Sequence, residues 1–186
     1  MEIETPIKFA RLSLPEDREA LMNLLTREIW PYHMNAYNTR DRASELINSG
    51  KFSNDRQETF WILENEQRVG FVQAETSDGF YDMSPLLDLR ILASHRGKGI
   101  GTVALKWITE RIFTRFSHFK RIAAKTRADN KMMRAVLEHC GYVKEGHFRR
   151  SWPDETGHRH DAVFYALLQS DWRDGKVTPV DWDYTG

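Results

Sequence analysis

The stretch Arg96-Gly97-Lys98-Gly99-Ile100-Gly101-Thr102 constrains this chain more than any other. A strand-like apolar run from Leu86 to Leu92 leads into it, and a helical stripe of Ile100, Val103, Ala104, Trp107, Ile108 and Ile112 leads out. A helix start presents N–H groups without intrahelical partners and the positive end of the helix dipole. A strand, a glycine loop and a helix in that order therefore predict an anion site. The plainer reading of the same glycines is that they make the turn.

Three phosphate loops compete for this stretch. A Walker A loop needs Gly-Lys-Ser/Thr, and Lys98 is followed by Gly99. A dinucleotide fingerprint matches Gly99-x-Gly101-x-x-Ala104, but it expects an acid about 20 residues on, where Lys125-Thr126-Arg127 stand. An NADP-linked reductase stays as a distant alternative, because an arginine suits a 2′-phosphate. The third design is an arginine-led loop, R-x-x-G-x-G, which Arg96 to Gly101 fit throughout.

The surrounding pattern predicts a mixed α/β (α+β) fold with a mostly antiparallel sheet. Ser13-Leu14-Pro15-Glu16 reads as a helix entry. Leu21, Leu24, Leu25 and Ile29 then form an apolar stripe that Trp30-Pro31 ends. A short helix is expected from about Asp41 to Ser49, stopped by Gly50. Thr59–Glu64 and Arg68–Glu75 read as a hairpin, and the segment from Thr76 to Ser84 as a loop with an Asp78-Gly79 turn. After the central helix come a strand at Arg121–Thr126, a helix at Asn130–His139 closed by Cys140-Gly141, a strand from Tyr142 to Arg150, and a last strand at Asp161–Leu168. The expected organisation is one domain over 1–186, with 173–186 as a C-terminal tail.

Two further signatures join the loop. Asn130 is followed at helical spacing by Glu138-His139-Cys140-Gly141-Tyr142, which resembles N-x-x-A-x-x-L-Y-E-K-x-G-F. Downstream, Glu145-Gly146-His147-Phe148-Arg149-Arg150 precedes Gly157 and the run Asp161 to Trp172. In this order the three resemble the GNAT superfamily of N-acetyltransferases, from about Thr59 to Trp172. They look most like the branch that acetylates ribosomal-protein N-termini, polyamines and some antibiotics. The resemblance implies a GNAT-like sheet with helices on both faces and acetyl-coenzyme A as cosubstrate, with no metal. It implies that the backbone of Ile91, Leu92 and Ala93 meets the pantetheine arm. Arg96, Gly97, Lys98, Gly99, Ile100, Gly101 and Thr102 would hold the phosphates, and the Asn130 side chain would reach the cofactor. Asn130 also reads as a helix cap.

The chemistry that follows is attack of an unprotonated amine on a thioester. A lysine-like amine has a pKa near 10.4, so a base or a desolvating pocket must help. Asp88 is the first candidate for the base and Glu75 the second, with an Asp88–Arg90 ion pair as the plain alternative. Asp78 and Asp82 read as an acidic rim. The family often places a tyrosine on the last helix as the acid, and here Leu137 stands there; Tyr142 is nearest in sequence and otherwise a core residue. Cys140 reads as a small buried hydrophobe. His158-x-His160 is too few ligands for a metal site, and His95 rims the loop. Trp30, Tyr32, Tyr37 and Phe80 either enclose the acceptor or close the core.

The 27 basic and 27 acidic residues balance, so no nucleic-acid partner is expected. No apolar run approaches a membrane span, the N-terminus lacks a signal-peptide pattern, and there is one cysteine. The expectation is a soluble, cytoplasmic acetyltransferase acting on a small-molecule amine or a protein N-terminus. Tryptophans near the C-terminus suggest a homodimer. The non-enzyme alternative is a regulatory module that binds coenzyme A without transfer.

Overall fold

The computed structural model describes residues 7–33, 39–75 and 84–183. Seven strands form one sheet: β1 (Ile7–Arg11), β2 (Gln57–Glu64), β3 (Gln67–Glu75), β4 (Leu86–Ile91), β5 (Arg121–Arg127), β6 (Val143–Pro153) and β7 (Arg159–Leu168). Their order is β1-β2-β3-β4-β5-β7-β6. Every neighbouring pair is antiparallel except β4 and β5. The helices are α1 (Arg18–Thr26), α2 (Arg40–Asn48), α3 (Ile100–Arg115), α4 (Lys131–His139) and α5 (Gln169–Asp174). The mixed, mostly antiparallel sheet read from the sequence is therefore the one observed.

Two cores lie on opposite faces. On one, Ile100, Ala104, Leu105, Ile108 and Ile112 of α3 and Leu137 of α4 pack against Ile62, Val72, Ile122, Val163 and Tyr165, which come from β2, β3, β5 and β7. On the other, Leu21, Leu24 and Leu25 of α1 with Ala43 and Ile47 of α2 cover Trp61, Phe71 and Leu92. This second core reaches only the β1–β4 half. Among the described residues no helix covers the same face of β5, β7 and β6.

Several local expectations need correction. The first helix starts at Arg18, not at Ser13-Pro15, because Ser13 instead folds into a turn whose N–H donates to Asp17 at 3.0 Å. Ile29 is 77% exposed; α1 ends before it, so the helical period no longer applies. Val103, placed on the buried stripe of α3, is 45% exposed. The edge strand β1 and the short helix α5 were not foreseen. The β2–β3 hairpin turns on Asn65 and Glu66, both at positive φ (51 and 63), as a two-residue hairpin turn requires. The Asp78-Gly79 turn lies outside the described residues.

Candidate active site

β4 and β5 share only two register pairs, Leu86 with Ala123 and Leu87 with Ala124. Both strands continue past these pairs, bonded to β3 and β7 on their outer sides. Among the described residues they pair with each other no further. A wedge thus opens in the middle of the sheet. The Leu92 N–H donates to the Val69 carbonyl at 2.9 Å. Backbone groups alternate in direction along a strand, so those of Leu89 and Ile91 turn from β3 toward the wedge. An extended chain carrying amides finds an unused strand edge there.

The glycine loop stands at the open end of this wedge. β4 runs through a single 3-10 turn, Ala93–His95, into the start of α3. Gly97 and Gly99 adopt φ of +78 and +80, and a Cβ built at either meets nothing within 4 Å. Glycine is needed here for backbone angle, not for crowding, and among the described residues the space a side chain would fill is open. Gly101 differs: a Cβ there would meet Ile91 Cδ1 at 3.5 Å and Val136 Cγ2 at 3.6 Å, ordinary contact distances, so neither backbone angle nor crowding demands glycine at this position. The first intrahelical bond runs from the Val103 N–H to the Gly99 carbonyl at 3.1 Å. The N–H groups of Ile100, Gly101 and Thr102 precede it and have no intrahelical acceptor. Among the described residues no side chain caps this helix, while the Ile100 side chain anchors it in the core and Lys98 is exposed beside it.

Arg96 points away from these amides. Its Nε donates to the Ile91 carbonyl at 2.7 Å, its Nη2 reaches Glu28 at 3.3 Å, and its guanidinium lies 5.5 Å from the Trp30 ring centre. Glu28 also accepts the Ala93 N–H at 2.8 Å. Of the three residues expected at the pantetheine, Ile91 ends β4, and Leu92 just beyond it has its N–H bonded to β3. The Ile91 carbonyl and Ala93 N–H are held by two side chains that pair with each other. Asn130 caps α4: its Oδ1 accepts the Met133 N–H at 3.2 Å, and its Nδ2 donates to Thr126 Oγ1 at 3.0 Å.

Asp88 faces the α1–α2 side, at the root of the wedge. Its Oδ2 accepts from Arg90 Nε at 3.2 Å and Nη2 at 3.1 Å, and its Oδ1 lies 3.1 Å from His33 Nε2. Burial alone would raise the carboxyl's pKa, but Arg90 and His33 together hold it far below the usual carboxylate range. Burial lowers the His33 pKa, with Arg90 adding to the effect, against the pull of Asp88. Arg90 is buried between the Trp30 and Phe71 rings, at 5.7 and 5.5 Å.

The remaining candidates fall elsewhere. Tyr142 is 2% exposed and shares a 2.7 Å hydrogen bond with Thr109, so it belongs to the α3 core, as does Leu137. Burial pushes the Tyr142 phenol up. Cys140 is partly buried, and burial pushes its thiol up too. His160 pairs with Asp154 at 2.8 Å in the β6–β7 hairpin, and His95 with Glu64 at 2.6 Å. Trp30 is buried and donates to the Leu25 carbonyl at 3.0 Å. The Tyr32 ring lies 5.3 Å from the Arg127 guanidinium. Glu75 ends β3. Tyr37, Asp78, Phe80 and Asp82 lie outside the described residues.

His33 and Glu28 are the site residues that sequence reasoning missed. They follow α1 in a segment without periodicity, and their partners stand 55 and 65 residues away. Their one local signal is Trp30-Pro31, which stands between them; it does not end the helix as expected, because α1 already ends at Thr26.

The acetyltransferase (GNAT) domain family model matches residues 10–143. YdaF of Bacillus subtilis (strain 168), named as a ribosomal N-acetyltransferase, is 33% identical over 86 residues. That segment is 46% of each protein, so the match spans about half the length of this curated relative. Spermidine N-acetyltransferase from Vibrio cholerae, solved with CoA and spermine, superposes with a TM-score of 0.75 at 22% identity, over 90% of this chain and 98% of that one. A chimera of the Vibrio cholerae enzyme SpeG with hSSAT gives 0.76 at 21% identity, with the same coverage. At these identities the two structures show a shared fold.

Proposed function

This chain belongs to the GNAT acetyltransferase family, and from that premise we propose that it transfers acetyl from acetyl-coenzyme A to a primary amine. The observation that carries the reading is the wedge between β4 and β5, with bare loop amides at its open end. The residues present fit the cosubstrate. At Gly97 and Gly99 the space a side chain would fill is open, and the backbone N–H groups from Gly97 to Thr102 suit a diphosphate. Lys98 adds charge beside them. The outward backbone of Leu89 and Ile91 suits the two amides of the pantetheine arm.

Two contacts must give way for this arm to use the end of β4. Glu28 leaves the Ala93 N–H, and Arg96 then turns from Glu28 and the Ile91 carbonyl toward the phosphates. Asn130 stays as the cap that fixes the α4 start beside the β5 side of the wedge. When bound, the thioester supplies an activated acetyl group. The chain supplies orientation and a partly dehydrated site in which the developing oxyanion meets backbone N–H donors. Asp88, at the root of the wedge, belongs to the reacting side.

The acceptor enters from the α1–α2 face, where among the described residues no helix covers the β5 half of the sheet. The relatives guide which acceptors to try: one was solved with spermine, and the curated relative carries a ribosomal name. A polyamine and a protein N-terminus are therefore the first acceptors to test. The test measures free thiol released from acetyl-coenzyme A with spermidine, spermine, N-terminal peptides and aminoglycosides, beside calorimetric binding of the cosubstrate alone. Binding with amine-dependent release is expected. Binding without release across the panel would instead make the chain a coenzyme A sensor, and tighter binding of NADPH would make it a reductase.

A further inference from the structure

We infer that His33 takes the proton from the acceptor ammonium and that Asp88 is the residue that positions it. This rests on the acetyltransferase reading above. Asp88 is the first β4 residue beyond the last β4–β5 pair, so the imidazole bonded to it stands at the root of the wedge. It stands on the sheet face opposite α3. One carboxylate oxygen of Asp88 is occupied by the Arg90 guanidinium, and the other lies 3.1 Å from His33 Nε2. An ionised carboxylate only accepts. Nε2 therefore carries the hydrogen, and Nδ1 is left with a lone pair. That Nδ1 atom is buried and has no hydrogen-bond partner among the described residues.

Buried polar atoms are nearly always paired, and one left bare carries a penalty. Here the bare atom belongs to an imidazole at the root of the wedge, set against a carboxylate that fixes its tautomer and can stabilise the imidazolium. Burial and the Arg90 charge lower its pKa below the usual 6.5, so the ring is neutral at pH 7 and free to accept. The charged groups around it are Asp88 and Arg90 from β4, and Arg96 with its partner Glu28. From β5 comes Arg127, which donates to the Pro31 carbonyl at 3.0 Å and pairs with Asp129.

The proton bookkeeping closes. The substrate ammonium gives one proton to His33 Nδ1 and gains a free nitrogen lone pair. As that lone pair forms the C–N bond, the C–S bond breaks and its electron pair leaves with sulfur. The second proton shed by nitrogen goes to the sulfur, and the imidazolium returns its proton to solvent.

The test combines nitrogen NMR of the ligand-free protein with kinetics. In the wild-type protein the His33 ring should show the Nε2–H tautomer and a titration midpoint below 6.5. Asp88→Asn should lower the midpoint further, because the charge that favours the imidazolium is gone. His33→Gln should reduce kcat roughly a hundredfold and remove the acid limb of the kcat/KM–pH profile. Calorimetric affinity for acetyl-coenzyme A should be unchanged. An Nδ1–H tautomer overturns the assignment whether or not any variant folds. So does an active enzyme whose His33→Gln form keeps the wild-type profile. A wild-type protein that releases no thiol with any amine overturns the transferase reading, and this assignment with it.

Discussion

Asp17 accepts the Ser13 N–H at 3.0 Å, the Trp61 Nε1–H at 2.9 Å and the Arg68 Nη2–H at 2.6 Å. One carboxylate thus ties the start of α1 to β2 and β3. Trp61 is 1% exposed, so Asp17→Ala leaves its indole N–H buried without an acceptor. The expected loss is about 1–3 kcal/mol, read from the urea midpoint. His33 carries a pH signature of its own. Its folded-state pKa lies below the unfolded value of about 6.5. Between those two values the unfolded chain binds more protons, so stability rises with pH across the window. Relative to His33→Gln, the wild-type protein should lose stability as pH falls below about 6.5 and hold a constant difference above it. Urea melts at stepped pH measure this difference, and a flat difference would contradict the lowered pKa.

At the scale of elements, Gly70 sets how β3 meets β4. A Cβ there would fall 2.1 Å from the Arg90 carbonyl oxygen and 3.0 Å from the Ile91 Cα. Both neighbours are backbone, so neither can rotate away. Gly70→Ala should cost about 1–3 kcal/mol and weaken acetyl-coenzyme A binding, because β4 must shift. Glu28→Gln should do the opposite to affinity. It removes a carboxylate that holds both Arg96 and the Ala93 N–H, and calorimetry should show tightening of up to about fivefold.

These elements differ in how plainly the sequence announces them. The strand–loop–helix from Leu86 to Ile112 was legible because a change of hydrophobic period and three glycines coincide there. The α4 cap at Asn130 was legible for the same local reason. β1 was not, although Ile7 and Phe9 alternate, because five residues at a chain edge give little signal. The start of α1 was misread because Ser13 and Pro15 satisfy the local rules for a helix entry, while Asp17 obeys partners on β2 and β3. The proposed phosphate side of the site is written in neighbouring residues. The proposed proton side joins His33 to Asp88 across 55 positions, and no local pattern encodes such a contact.

For the molecule as a whole, the decisive feature is that its sheet is two sheets in part. β1 to β4 form one plate and β5, β7 and β6 another, with two register pairs between them. The α3–α4 core backs both plates, whereas the α1–α2 core backs only the first. A bound pantetheine would splice the plates along their seam, adding the rungs that the strands themselves leave out. Amide exchange at Leu89 and Ile91 should then slow when acetyl-coenzyme A is added, while Val72 at the centre of the first plate stays as it was. Cosubstrate at about a hundred times its Kd should add about 2.7 kcal/mol to stability. Under the proposed binding mode the donor would be a strut as well as a reagent, and each turnover that released it would loosen the frame that must grip the next.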